Sequence, residues 1–284
     1  MKAHLCTLLA LLLFSCLAVQ PLNAQETDSG TPAPPASTDE FGDVSAFFGT
    51  SPSPGPPAAF GVALAPAEDR KRLKYQGTGT TSYQPDPIPT SGAVGFACSL
   101  GYLSPAFLGA YVGVGTLAYN KGYACGQCIK LQCDDAACAQ PGKQLIANVV
   151  DLCGDCFDAD LSIAQPLFQN LTGARGPSAS ISWEWVACPD LIQGNIKMLQ
   201  KPQGTAYYQA FSFANSIQPV IAVRMNGQLL KRSASGNWWE WNPGQAINPR
   251  GPFKVDLLGA NKQVLSVTLP TLRSLDLGVQ FRPS

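Results

Sequence analysis

Ala147-Asn148-Val149-Val150-Asp151-Leu152-Cys153-Gly154-Asp155-Cys156-Phe157-Asp158-Ala159-Asp160-Leu161-Ser162 is the stretch on which the reading of the fold turns. The apolar run ending at Asp151 predicts a buried strand, because Val149 and Val150 are β-branched and Cys-Gly-Asp-Cys then breaks the pattern. Beyond that loop, Asp160 and Ser162 lead into Ala164, Leu167, Phe168 and Leu171, the spacing of one face of a short helix. A strand end and a helix start thus deliver two carboxylates, Asp151 and Asp160, to one place. Either one, partly desolvated beside the other, would have a raised pKa and could protonate a leaving-group oxygen. Asp155 and Asp158 read as turn residues that face water.

Working outward, 284 residues with 45% hydrophobic content, 27 Gly and 24 Pro favour two modest domains of β structure rich in turns. Residues 1–24 read as a cleaved secretory signal: Lys2 precedes the apolar run Leu8 to Val19, and Leu22-Asn23-Ala24 ends in a small residue before Gln25. No stretch approaches the roughly 20 apolar residues of a membrane span, so a soluble, secreted protein is expected. Cleavage removes Cys6, Cys16 and the single histidine, His4, leaving eight cysteines in an oxidising compartment. Without imidazole, Ser-His-Asp and Cys-His chemistry and the usual catalytic zinc site are closed; no metal or other cofactor is expected. The formal net charge of zero hides a basic end. Residues 195–284 carry ten bases against three acids, about +7, which suits a polyanionic surface such as acidic polysaccharide rather than nucleic acid in an exported protein.

Residues 25–72 are rich in Pro, Ser, Thr and Ala and read as a disordered spacer or propeptide, ending at Arg70-Lys71-Arg72, either a processing site or a charged linker end. A cross-linked first domain follows over 73–188. Gly77-Thr78-Gly79-Thr80-Thr81-Ser82-Tyr83 reads as its first strand, approached closely by another backbone, and Ile181–Val186 as its closing strand. A hinge over 189–194 leads to a cysteine-free domain, 195–284. There Val220–Met225 before Asn226-Gly227, and Phe253–Leu258 with Val264–Leu269 around Gly259-Ala260-Asn261-Lys262, give hairpin signals suited to a small β-sandwich.

Gly77-x-Gly79-Thr80, Cys125-Gly126-Gln127-Cys128-x-x-x-x-Cys133, Val150-Asp151-Leu152, Asp160-Leu161-Ser162 and Trp183-x-x-Val186-x-Cys188, in this order before a cysteine-free β domain, resemble the expansins over about residues 75 to 282. The resemblance, to microbial expansins and expansin-like proteins, implies an all-β chain: a six-stranded double-psi β-barrel followed by an immunoglobulin-like carbohydrate-binding β-sandwich. It implies a groove shared by both domains that holds a glucan chain, and loosening of plant-type cell walls without hydrolysis, by a monomer acting on cellulose, xyloglucan or another β-glucan. It assigns Asp160 as the essential acid, Asp151 as its partner and Thr80 as a groove hydroxyl. Cys153 stands where the family often has tyrosine, and Asp158-Ala159-Asp160 where plant members have His-Phe-Asp. The resemblance also implies the pairs Cys98–Cys125, Cys128–Cys188 and Cys133–Cys138, leaving Cys153 for Cys156. Two rival readings of Cys125-x-x-Cys128 with Cys153-x-x-Cys156 are a four-thiolate zinc site and a thioredoxin-like redox motif; export favours disulfides.

Tyr207-Tyr208 matches a paired-aromatic position of the family's binding module, and Trp238, Trp239 and Trp241 offer further rings for stacking on pyranose faces, although neighbouring strand residues point opposite ways. Inverting endoglucanases on the same barrel need a base after the first strand, where this chain has Ser82-Tyr83-Gln84; the nearest acid, Asp86, lies between prolines in a stiff turn. Non-hydrolytic loosening therefore ranks above endo-β-glucanase or lytic transglycosylase activity. A barwin-like structural or elicitor protein is the third class, and the second domain argues against it. Asn170-Leu171-Thr172 is a glycosylation sequon near the helix.

Overall fold

The computed structural model describes residues 74–81, 95–136, 138–173, 176–188, 190–233 and 236–283. The secretory leader, the spacer, Arg70-Lys71-Arg72 and Asp86 lie outside the described residues. Six strands close a barrel: β1 (Lys74–Thr81), β2 (Tyr111–Val114), β3 (Cys128–Cys133), β4 (Gln144–Leu152), β5 (Leu161–Ile163) and β6 (Ser178–Val186), in the spatial order β1-β5-β2-β4-β3-β6. The pairs β1·β5 and β2·β4 are parallel and the others antiparallel. Val149 and Val150 of β4, Ile129 and Leu131 of β3 and Trp183 of β6 are all buried in the core of this domain. These are β-branched or bulky residues whose burial supplies the hydrophobic drive.

Between Asp160 and the helix the structure inserts a strand that the helical spacing hides. Leu161 and Ile163 are fully buried and Ser162 is half-buried, the alternation of a strand, while the helix begins only at Gln165 and runs to Thr172. Asp160 therefore precedes a strand rather than a helix start. The apolar residues Leu167, Phe168 and Leu171 do share the buried face of that helix. Asn170 is exposed and accepts from Lys143 Nζ at 2.6 Å, whereas the sequon's Thr172 is buried with its hydroxyl donated to the Phe168 carbonyl.

Nine further strands form two sheets: β7 (Lys197–Gln200), β8 (Gln209–Ala214), β9 (Val220–Met225), β10 (Gln228–Leu229), β11 (Lys231–Arg232), β12 (Trp239–Trp241), β13 (Phe253–Gly259), β14 (Val264–Leu269) and β15 (Leu275–Asp276). One sheet is ordered β10-β9-β13-β14 and the other β11-β12-β8-β7-β15. Asn226 and Gly227, both with positive φ, make the tight turn from β9 to β10. Met198, Phe211, Val223, Val255 and Phe281 interlock between the sheets.

Two expectations require correction. Trp239 and Trp241 are not stacking platforms: at 3% and 4% exposure they belong to the sandwich core, with Trp241 edge-on to Phe253. The pleat turns both indoles inward and leaves Glu240, between them, facing out. Of the four cysteine pairs, Cys98–Cys125, Cys133–Cys138 and Cys153–Cys156 are bonded, but Cys128 and Cys188 are buried thiols with no bond between them. Burial pushes the Cys128 thiol up, and hydrogen bonding with Cys188 adds to this, so Cys128 is held in its protonated, unreactive form. Three members of the four-thiolate zinc reading are spent in disulfides, leaving only Cys128 as a thiol.

Trp239→Ala or Trp241→Ala should cost about 3–5 kcal/mol of stability by urea unfolding, whereas Tyr207→Ala should stay within about 0.5 kcal/mol. Equal costs would mean that the indoles are not core residues.

Candidate functional site

One barrel end gathers the candidate carboxylates. β1 passes so close to the Ala159–Asp160 backbone that a Cβ on Gly77 would lie 2.5 Å from the Ala159 carbonyl oxygen; only glycine fits. That approach lets the Thr78 N–H donate to Asp160 Oδ1 at 2.7 Å, while the Phe157 N–H donates to Oδ2 at 3.3 Å. The Asp160 amide returns a bond to the Phe157 carbonyl at 2.9 Å. Trp183 braces the same loop from within the barrel, its Nε1–H bonded to the Ala159 carbonyl at 2.8 Å and its ring stacked on Tyr75 at 4.1 Å. Asp160 is thereby fixed as a half-buried, aimed acceptor. Thr80 is exposed on β1, opposite Ser162 of β5, and its hydroxyl lies 3.5 Å from the Leu161 carbonyl.

Asp151 lies across β2: it pairs with Gly113, which in turn pairs with Ser162. Its Oδ1 accepts from the Ala97 N–H at 2.7 Å and from its neighbour Leu152 at 2.9 Å. Desolvation raises its pKa, and these two bonds pull the other way. Asp155 and Asp158 are exposed.

The segment that Asp151 holds is the one on which the second domain rests. A Cβ on Gly236 would come within 3.3 Å of the Ala97 carbonyl oxygen and 3.4 Å of the Trp238 ring. Ser212 of β8 donates to the Ser99 carbonyl at 2.9 Å, and Lys197 lies over the Tyr102 ring at 5.3 Å. Arg232 inserts between the domains. It bonds the Gly122 carbonyl and Asn237 and sits over the faces of Tyr123 and Trp239, 4.2 and 4.9 Å from their centroids. Desolvation lowers its pKa to about 10, and Tyr123 and Tyr119 act in the opposite direction. Tyr119, buried beside this cation, is pushed up to about 12, again chiefly by desolvation.

Beyond that contact the same sheet face opens. Glu240 pairs with Ala210 and the Lys201 amide bonds the Ala210 carbonyl, so Trp238, Glu240, Lys201 and Tyr208 share the outward side by pleat alternation. Lys201 lies 5.6 Å from the Trp238 ring centroid. The pKa of Tyr208 is raised, first by desolvation and then by Glu240, whose side chain hydrogen-bonds it. Tyr207 is 61% exposed, and Tyr208 and Trp238 are half-buried. Three of the five expected platforms therefore stand outside the core. The sequence reading missed Phe157, Glu240, Lys201 and Arg232. Only Arg232 had a signal, as a base adjoining an aromatic-rich segment.

No family model matches the chain. Expansin-like protein 5 of Dictyostelium discoideum is 25% identical over 195 residues, covering 66% of this chain and 80% of the relative. Expansin-A13 of Oryza sativa subsp. japonica is 28% identical over 142 residues, 44% of this chain and 53% of the relative. Among solved structures, the apo expansin of Clavibacter michiganensis superposes with a TM-score of 0.60 at 18% identity, covering 75% of this chain and 100% of its own. A mutant of that expansin in complex with cellohexaose matches with the same TM-score. In sequence the chain is similar to expansins and expansin-like proteins, and it shares the expansin fold.

A carboxyl whose native pKa is raised binds more protons when folded, so its contribution is present below the ordinary value of 3.8 and is lost as pH rises through the native value. Asp151→Asn keeps an acceptor for both N–H groups and removes that loss. Its stability relative to wild type should rise as pH increases from the ordinary value of 3.8 through the raised native value in urea titrations; a flat difference would contradict desolvation at Asp151.

Proposed function

We propose that this protein is a secreted wall-loosening protein that binds a β-glucan chain from the Asp160 end of the barrel to the Tyr207, Tyr208 and Trp238 face, and separates it from neighbouring chains without cutting it. The carrying observation is that Asp151 fixes the loop against which the aromatic face is set, so an aimed acceptor and three rings outside the core are held in fixed relation. Pyranose rings have apolar faces suited to aromatic stacking and equatorial hydroxyls suited to a carboxylate acceptor. The cellohexaose complex of the Clavibacter michiganensis expansin supports a cellulose-type ligand.

Inverting hydrolysis would require one acid to protonate the leaving oxygen and another to activate water. The Oδ1 of Asp151 accepts from two backbone N–H groups, a bracing role, and each oxygen of Asp160 accepts one backbone N–H and keeps a lone pair for a sugar hydroxyl. In this reading Asp160 and Thr80 are hydrogen-bonding groups for sugar hydroxyls, and Asp151 positions one domain against the other. The basic balance of residues 195–284 adds attraction to acidic wall polysaccharide.

The test has three arms. Sedimentation with insoluble cellulose should show affinity reduced about tenfold in a Tyr207→Ala/Tyr208→Ala variant, with little dependence on salt. Creep of plant walls under load should be lost in Asp160→Ala. Soluble β-glucan should yield no new reducing ends; ends that appear with wild type and vanish with Asp160→Asn would make the protein a glycosidase.

A further inference from the structure

Phe157 is 83% exposed, the largest exposure of any large apolar residue among those described. An exposed ring on a floppy loop would mean little, but its backbone is immobilised on every side. The residue next to it, Cys156, is bonded to Cys153 and donates its N–H to the Cys153 carbonyl at 3.3 Å. The Cys153 amide is itself tied to the Val114 carbonyl at 2.9 Å. The Phe157 carbonyl packs against Gly115 so tightly that a Cβ there would lie 2.6 Å away. Its N–H and C=O both bond to Asp160, at 3.3 and 2.9 Å.

The geometry points to Phe157 as a sugar-stacking residue, a flat apolar platform presented beside Asp160 by the disulfide-closed loop, for one pyranose of the bound glucan. This rests on the function proposed above. The chemistry selects the occupant: a pyranose joins an apolar ring face to equatorial hydroxyls, and here an exposed aromatic residue has its own backbone N–H bonded to a carboxylate. Because the backbone of Phe157 is held before binding, only its side-chain rotamer is left to be ordered when a sugar stacks on it, which lowers the entropic cost of the contact. The barrel then supplies stacking of its own, and does not depend for it on the second domain.

Calorimetric titration of the full exported chain with cellohexaose tests this. Phe157→Ala should weaken binding roughly 3- to 10-fold, Phe157→Trp should restore it, and Phe157→Leu, apolar but without a flat face, should not. Thermal midpoints should stay unchanged, since the ring is exposed. Unchanged affinity in Phe157→Ala, with affinity reduced in Tyr208→Ala, overturns this inference and leaves the wider reading standing. Wild type that binds no cellohexaose overturns both. A wild-type dimer in sedimentation that Phe157→Ala dissolves, with sugar affinity intact, assigns the ring to a second copy of the chain and also overturns it.

Discussion

Strand β1 and the Ala159–Asp160 backbone meet with no room for one carbon atom between them, and the barrel mouth depends on that contact. The gap exists because residue 77 is glycine. Through it the Thr78 amide reaches the Asp160 carboxylate, and just beyond it β1 and β5 pair in parallel from Gly79 with Leu161 to Thr81 with Ile163. Parallel pairing of strands some eighty residues apart carries a large loop-closure cost, which the burial of Leu161, Ile163 and Trp183 offsets. Asp160 is therefore built into the closure of the barrel as well as exposed at its mouth.

The second carboxylate works by the same chemistry to a different end. Asp151 gives its Oδ1 to the Ala97 amide, and the Ala97 carbonyl abuts Gly236, next to the Trp238 ring. Arg232 closes the other side of that contact with its guanidinium between Tyr123 and Trp239. A cation lodged between aromatic faces and bonded to a carbonyl and an amide oxygen loses less on burial than one left bare. The sheet is thus held to the barrel by directional contacts, which fix an angle as apolar contact alone would not.

These arrangements set the limits of what the sequence discloses. The buried strand at Val149-Val150 and the turn at Asn226-Gly227 are local: β-branching and positive φ act within a few residues, so the order of residue types suffices. Strand β5 is too short to show a period, and its pairing partner is set by Gly77 and Gly79, far away in the chain. The tryptophans at 238, 239 and 241 were ambiguous for a symmetrical reason, since alternation says that neighbours part without saying which side is inside.

By itself the sequence determined a cross-linked β domain and a cysteine-free basic β domain, and it put Asp151 and Asp160 at element ends; hydrophobic pattern and turn chemistry are written residue by residue. Tertiary structure alone decided that Asp151 braces a loop while Asp160 is held against β1 at the barrel mouth, that Trp239 and Trp241 are core, that Cys128 and Cys188 are buried side by side, and that Phe157 stands in solvent. Each of these turns on which distant backbone comes within hydrogen-bonding or van der Waals reach, and only the closed barrel and the paired sheets bring those backbones together.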